Sequence, residues 1–154
     1  MRRTDTRAAE EAALAWSELH QASGLLAADL SRRLESEADM TAAEHDILWF
    51  LANTPDRRLI MSALADRLLL SRSGATRLVD RMVERGWVTR EVDPDNRRLT
   101  YAVLAPGGIA AVRRSAHVVW KVRPALFDDR LTATDVADLR RILGKLLRRL
   151  DVVS

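Results

Sequence analysis

The chain has 154 residues, with 25 basic and 22 acidic side chains for a net charge of +3, and is 47% hydrophobic but only 5% aromatic. That supplies one core of ordinary size, and a weakly positive, mixed charge permits nucleic-acid binding without demanding it. Cysteine is absent, which excludes disulfides, thiolate metal sites and thiol redox sensing.

The chain starts Met1-Arg2-Arg3-Thr4-Asp5 and continues into Ala and Glu, not into an apolar signal core. No apolar run approaches a membrane span, so a cytoplasmic protein with no membrane partner is expected. Residues 8 to about 36 carry a helical pattern with Ala12, Trp16, Leu19, Leu26, Leu30 and Leu34 on a broad apolar side. Thr41-Ala42-Ala43-Glu44 predicts a capping box. The helix it opens is expected to bury Ile47, Leu48, Phe50 and Leu51 and to end near Asn53-Thr54-Pro55.

A short helix over Met61–Leu68 leads through a brief turn into a second over Arg72–Arg85, stopped by Gly86. The second helix has its apolar positions at Ala75, Leu78, Val79, Met82 and Val83, one buried stripe. Ser71 stands where a side-chain oxygen can cap the free N–H groups, and Gly86 where a left-handed residue is wanted. On the opposite face, the N-terminal turns carry Arg72, Ser73, Thr76 and Arg77. A helix N-terminus favours phosphate, and arginine can hold guanine through two hydrogen bonds. Asp80 and Glu84 confine the cationic surface to the first two turns. Trp87–Val92 and Arg98–Leu104 then read as a two-stranded hairpin around the turn Asp93-Pro94-Asp95-Asn96-Arg97. Arg97 and Arg98 stand at its tip, either to enter an adjacent minor groove or to keep a β-edge soluble. Asp95 is no DNA contact on charge grounds, and is expected to accept hydrogen bonds from an arginine and hold it in pose. Between Ser71 and Arg98 seven arginines against five acids leave +2, so the case for DNA rests on placement and not on bulk charge.

After the hairpin, Pro106 starts a helix that runs toward Phe127, with Pro124 expected to kink or end it. Thr132-Ala133-Thr134-Asp135 starts the last helix. Its stripe is Leu139, Ile142, Leu143, Leu146, Leu147 and Leu150, with Arg140, Arg141, Lys145, Arg148 and Arg149 outside. A hairpin-bearing core of about 70 residues does not need long apolar helices at both ends of the chain. Their presence suggests a shared helical dimer interface, which would set two reading helices about one DNA turn apart, roughly 34 Å.

Nothing in the chain suggests an enzyme: there is no Gly-rich phosphate loop, no His-Glu-x-x-His and no cysteine nucleophile. Glu44-His45-Asp46 superficially resembles a metal cluster. However, Glu44 serves the capping box, and adjacent helix residues do not share a face. No metal or cofactor is expected. Trp16, His20, His45 and Trp49 are polar-tipped rings on the first two helices, and either line a small-molecule pocket or pack in a core or interface.

The motifs Leu64-Ala65-Asp66-Arg67-Leu68, Ser71-Arg72-Ser73, Thr76-Arg77-Leu78-Val79-Asp80-Arg81-Met82, Arg85-Gly86-Trp87-Val88, Asp95-Asn96-Arg97 and Leu104-Ala105-Pro106-Gly107-Gly108 together resemble the MarR family of winged helix-turn-helix transcriptional regulators. The resemblance implies a mainly α fold with a small β-hairpin. A winged helix-turn-helix core over about 41–104 would be flanked by dimerisation helices over about 8–36 and 106–151, in a single domain spanning 1–154. It implies a sequence-specific regulator, a homodimeric and ligand-responsive repressor that binds a palindromic operator in double-stranded DNA through recognition helix 72–85 and wing 93–98. Ser71, Arg72, Ser73, Thr76 and Arg77 match recognition-helix positions, and Asp95 and Arg97 match the wing; Arg98, beside them at the tip, is a further DNA-binding candidate. It also implies a small phenolic or anionic effector between the dimer helices and the wing domain, where Trp16, His20, His45 and Trp49 are the candidate lining. Ala105 departs from the family pattern, which commonly has threonine before the Pro and Gly; this removes a helix cap worth about 1 kcal/mol.

Overall fold

The computed structural model describes residues 3–150, with side-chain surroundings for residues 6–148. The expected domain ends at 1 and 154, the expected helix end at 151 and the side chains of Arg149 and Leu150 lie outside the described residues.

The elements are α1 (Arg3–Ala38), α2 (Ala42–Ala52), β1 (Arg58–Ile60), α3 (Met61–Arg67), α4 (Arg72–Glu84), β2 (Val88–Val92), β3 (Thr100–Leu104), α5 (Pro106–Leu126) and α6 (Ala133–Leu150). Single 3-10 turns at Pro55–Arg57 and Asp128–Arg130 join α2 to β1 and α5 to α6. This is a mainly helical, winged helix-turn-helix architecture, as expected. The sheet, however, has three strands and not two, in the order β1-β3-β2, all antiparallel. β1 pairs Arg58 with Val103 and Ile60 with Tyr101, which makes β3 the central strand. Three residues are too few to show an alternating pattern in sequence.

The local chemistry explains the boundaries. At α2 the Thr41 N–H donates to Glu44 Oε2 (2.8 Å) and the Glu44 N–H to Thr41 Oγ1 (3.2 Å), closing the capping box. Thr132 and Asp135 repeat the arrangement at α6, and the hydroxyl and N–H of Thr132 hold the Asp135 carboxyl below the usual carboxylate range. At the end of α4 the Trp87 N–H reaches the Met82 carbonyl and the Gly86 N–H the Val83 carbonyl, with Gly86 at φ 68°. That is the Schellman closure, and it needs a residue free to turn left-handed. α5 opens on Ala105 with no side-chain cap. It continues two residues past Pro124, so this proline ends the helix without a break inside it. Leu69 closes the turn between α3 and α4 at φ 53°, a costly conformation for a leucine.

The core draws Leu34 and Ala38 from α1, Ile47, Leu48 and Leu51 from α2, and Leu64 from α3. Leu78, Val79 and Met82 of α4, Ala102 and Leu104 of β3, and Ala111, Val112, Val118 and Val122 of α5 complete it, with Trp87 and Val88. Two expected core residues lie further out. Phe50 is half-buried beneath the Arg67 guanidinium (5.4 Å), and Val83 is exposed where the apolar stripe turns away from the core. α5 begins against the start of the wing: the Ala105 N–H donates to the Trp87 carbonyl (3.0 Å), and a Cβ on Gly108 would stand 2.1 Å from that oxygen. Only glycine permits this approach. The first two-thirds of α1 and one stripe of α6 pack on none of this core. Leu14, Trp16, Leu25, Ile142, Leu146 and Leu147 are exposed there.

Candidate nucleic-acid interface

The N-terminal end of α4 is set by Ser71. Its Oγ accepts from the Gly74 N–H (3.0 Å) and bonds the Ser73 hydroxyl (3.1 Å). Ser71, Arg72, Ser73 and Arg77 are exposed and Thr76 is half-buried, while Ala75, Leu78, Val79 and Met82 anchor the opposite face. The cationic turn is therefore held rigidly by its apolar back. Arg90 on β2 ties the wing to this helix: its Nη2 donates to the Thr76 carbonyl (3.1 Å) and lies 2.9 Å from Asp80 Oδ1. Asp80, which limits the positive face of α4, is thus partly neutralised by the wing.

The wing tip is built by Asp93. Its Oδ1 accepts from the backbone N–H groups of Asp95 (2.9 Å) and Asn96 (2.8 Å). Those bonds, Asn96 foremost, hold the Asp93 carboxyl below its ordinary value. Asn96 Oδ1 in turn accepts from the Arg98 N–H (3.2 Å). Arg97 is exposed at the tip. Among the described hydrogen bonds Asp95 accepts none from an arginine, and the carboxylate that bonds the backbone of the turn is Asp93. Aspartate in the first position of a turn does this by bonding the backbone two residues on.

Arg72, Thr76, Arg90 and Arg98 converge on one groove of about 420 Å³, with Ser62 at the start of α3 and Thr100 on β3. Three arginines, from α4, β2 and the wing tip, thus line a single groove together with Ile60, Met61 and Leu99. Arg90 and Ser62 were not legible as members of it. The signal for Arg90 lies in the strand register, which sets it opposite Ala102 beside α4.

The four ring residues do not come together within the chain. His45 and Trp49 stack (centroids 6.3 Å apart, planes at 27°) and line a cavity of about 320 Å³ with Asp46, Val119, Trp120 and Arg123. Trp16 and His20 lie exposed on α1, outside that cavity. Within the cavity wall, Arg123 stacks over Trp120 (4.2 Å) and its Nε holds Asp128 (2.9 Å). The His45 Nδ1 meets Ser115 Oγ at 2.8 Å, and burial pushes the imidazole pKa down. The Ser115 Oγ also lies 3.1 Å from the Val112 carbonyl, so this one hydroxyl joins the ring to the backbone of α5. Glu44 faces the capping box, so Glu44, His45 and Asp46 do not converge. Among the described residues no group of three His, Cys, Asp or Glu is placed to hold a metal ion, and no helix is long and apolar enough to cross a membrane.

The profile of the MarR family matches residues 38–99, the span from the end of α1 through the wing turn. A MarR family transcriptional regulator from Streptomyces coelicolor, solved in complex with DNA, is 32% identical and superposes with a TM-score of 0.78 over 92% of this chain and 86% of its own. The chain belongs to the MarR family. AbsC, a MarR family regulator from the same organism, is 28% identical with a TM-score of 0.81, over 98% of this chain and 97% of its own. The multiple antibiotic resistance protein MarR of Escherichia coli (strain K12) is 35% identical over 72 residues, 47% of this chain and 50% of that protein. This MarR-family chain is a DNA-binding transcriptional regulator.

Proposed function

We propose that this MarR-family chain acts as a homodimeric repressor of a palindromic operator, and not as an enzyme. Recognition helix α4 reads the major groove through Arg72, Ser73, Thr76 and Arg77, with Ser71 on a phosphate, and the wing enters the adjacent minor groove through Arg97 beside Arg98. Asp95 stays at the wing tip as a member of the turn. The observation that carries this reading is the convergence of Arg72, Arg90 and Arg98 on one groove between α4 and the wing. Phosphate between two neighbouring grooves of the duplex meets donors there from both reading elements. The exposed leucines of α1 and α6 support the dimer. The cavity of His45, Trp49, Trp120 and Arg123 supports a small phenolic or anionic effector, since two indoles offer stacking surface and the guanidinium offers charge.

Measuring affinity against salt tests this. A dimer with some 6–10 phosphate contacts gives log K falling against log salt with a slope of about −5 to −9. A slope near zero on a duplex chosen from a random pool, or no binding to any duplex, rules the reading out.

A further inference from the structure

Arg85 joins four pieces of the fold with one guanidinium. Its backbone closes the last turn of α4. Its Nη2 donates to the Asp39 carbonyl and to Asp39 Oδ2, both at 2.6 Å, where α1 has just ended. Nη1 lies 3.8 Å from the buried Glu44 that caps α2. The plane stacks on Trp87, the residue that leads into β2, at 3.7 Å. Asp39 itself sits at φ 52°, a left-handed turn that aspartate tolerates better than most side chains.

None of this is needed for α4 to fold. The Schellman bonds of Gly86 and Trp87 already close the helix, and Leu78, Val79 and Met82 already fasten it to the core. What Arg85 adds is a fixed point between the recognition helix and α1. We propose that Arg85 is a positioning residue that sets the angle of α4 against α1 and so the half-site spacing that the dimer accepts. This rests on the homodimeric reading above, in which α1 belongs to the shared frame. Arg85 sits at the end of α4 remote from Arg72. A helix of 13 residues is ~20 Å long, so a rotation of about 5° at Arg85 carries the reading end ~1.7 Å. That displacement exceeds what a bidentate contact to a base edge tolerates.

The test uses the full chain and a duplex selected from a random-sequence pool. Affinity is measured for that duplex, for the same duplex with two base pairs inserted between its halves, and for one half alone. Wild type is expected to prefer the selected spacing. In Arg85→Ala the ratio between selected and lengthened duplex falls by about tenfold, the scale of a charge-assisted hydrogen bond, with half-site affinity and dimer mass unchanged. Arg85→Lys restores only part of the preference, because an ammonium cannot bridge both acceptors and stack at once. Asp39→Asn keeps the left-handed turn and removes the charge, and shifts the ratio the same way by less. A folded, dimeric Arg85→Ala with the full spacing preference overturns the proposal. Equal loss on all three duplexes also overturns it, because the role is then merely structural. Should Arg85→Ala not fold, unchanged preference in both Arg85→Lys and Asp39→Asn overturns it instead. Wild type binding no duplex at all removes the regulator reading beneath it, a result distinct from these.

Discussion

His45 and Ser115 form a polar pair inside the seam between α2 and α5. Ser115 is fully buried and His45 nearly so, and the Ser115 Oγ lies within hydrogen-bond reach of both the ring Nδ1 and the Val112 carbonyl. Removing the hydroxyl leaves the buried Nδ1 without its partner, so Ser115→Ala is expected to cost about 1–3 kcal/mol in a urea titration. Burial lowers the His45 pKa below its ordinary 6.5, with Asp46 a weaker opposing influence. The unfolded chain therefore binds this proton more readily than the folded one. The contribution to stability is intact above about pH 6.5 and is lost as pH falls below it. Asp46 is pushed up by its own burial and works in the opposite sense, lower on the scale. Urea midpoints at pH 7.5 and 5.5 are expected to differ for wild type and to draw together in His45→Asn, where this imidazole no longer titrates. An unchanged difference in the variant assigns the effect elsewhere. His45 is visible in the sequence as a polar-tipped ring on the second helix. Its partner is not, because Ser115 lies 70 residues away and a lone serine in a helix carries no pattern.

In the proposed complex α4 and the wing divide the reading of DNA, and their side chains predict different losses. Arg72 is exposed at the capped end of α4, and in the proposed complex it reaches base edges. Arg72→Ala is expected to cost about 1–3 kcal/mol on the preferred duplex and to relax preference at particular base pairs. Arg97 stands on a turn ordered by Asp93, and a minor groove offers a degenerate code. Arg97→Ala is expected to weaken binding with its main sequence effect in A·T-rich flanks. Randomised-site selections with each variant measure both; a folded Arg97→Ala with unchanged affinity and preference removes the wing from the interface. These two elements were legible because each announces its ends: Ser71 and Gly86 for the helix, Asp93-Pro94-Asp95-Asn96 for the turn. That Asp93 accepts the backbone N–H groups of the turn was not legible, because charge alone does not say which of two aspartates does so. β1 and the tie through Arg90 depend on register across β3, which no local window contains.

At the scale of the molecule, the apolar residues left over decide the assembly. Trp16 is 74% exposed on α1, and Ile142, Leu146 and Leu147 are 46%, 45% and 59% exposed on α6, all in one chain taken alone. Leu19 and Leu26 of α1 meet Leu139 and Leu143 of α6 around one apolar groove of about 520 Å³, so both ends of the chain contribute to the same surface. An exposed apolar surface shared by two long helices fits a self-complementary two-fold contact. Ile142 and Leu146 lie one turn apart and pack on nothing in the core, so replacing both with glutamate leaves the chain's own fold intact. In a dimer the same change buries two unpaired charges and costs several kcal/mol. Ile142→Glu with Leu146→Glu is therefore expected to sediment as a monomer with an unchanged helical spectrum. Specific binding is expected to collapse, because one recognition helix cannot fill a site built for two at roughly 34 Å separation. Weak, salt-dependent binding to any duplex should survive, since Arg72, Arg77 and Arg97 are untouched. A double variant that remains dimeric and binds DNA as wild type places the interface elsewhere, and the spacing role argued for Arg85 then needs a different frame of reference.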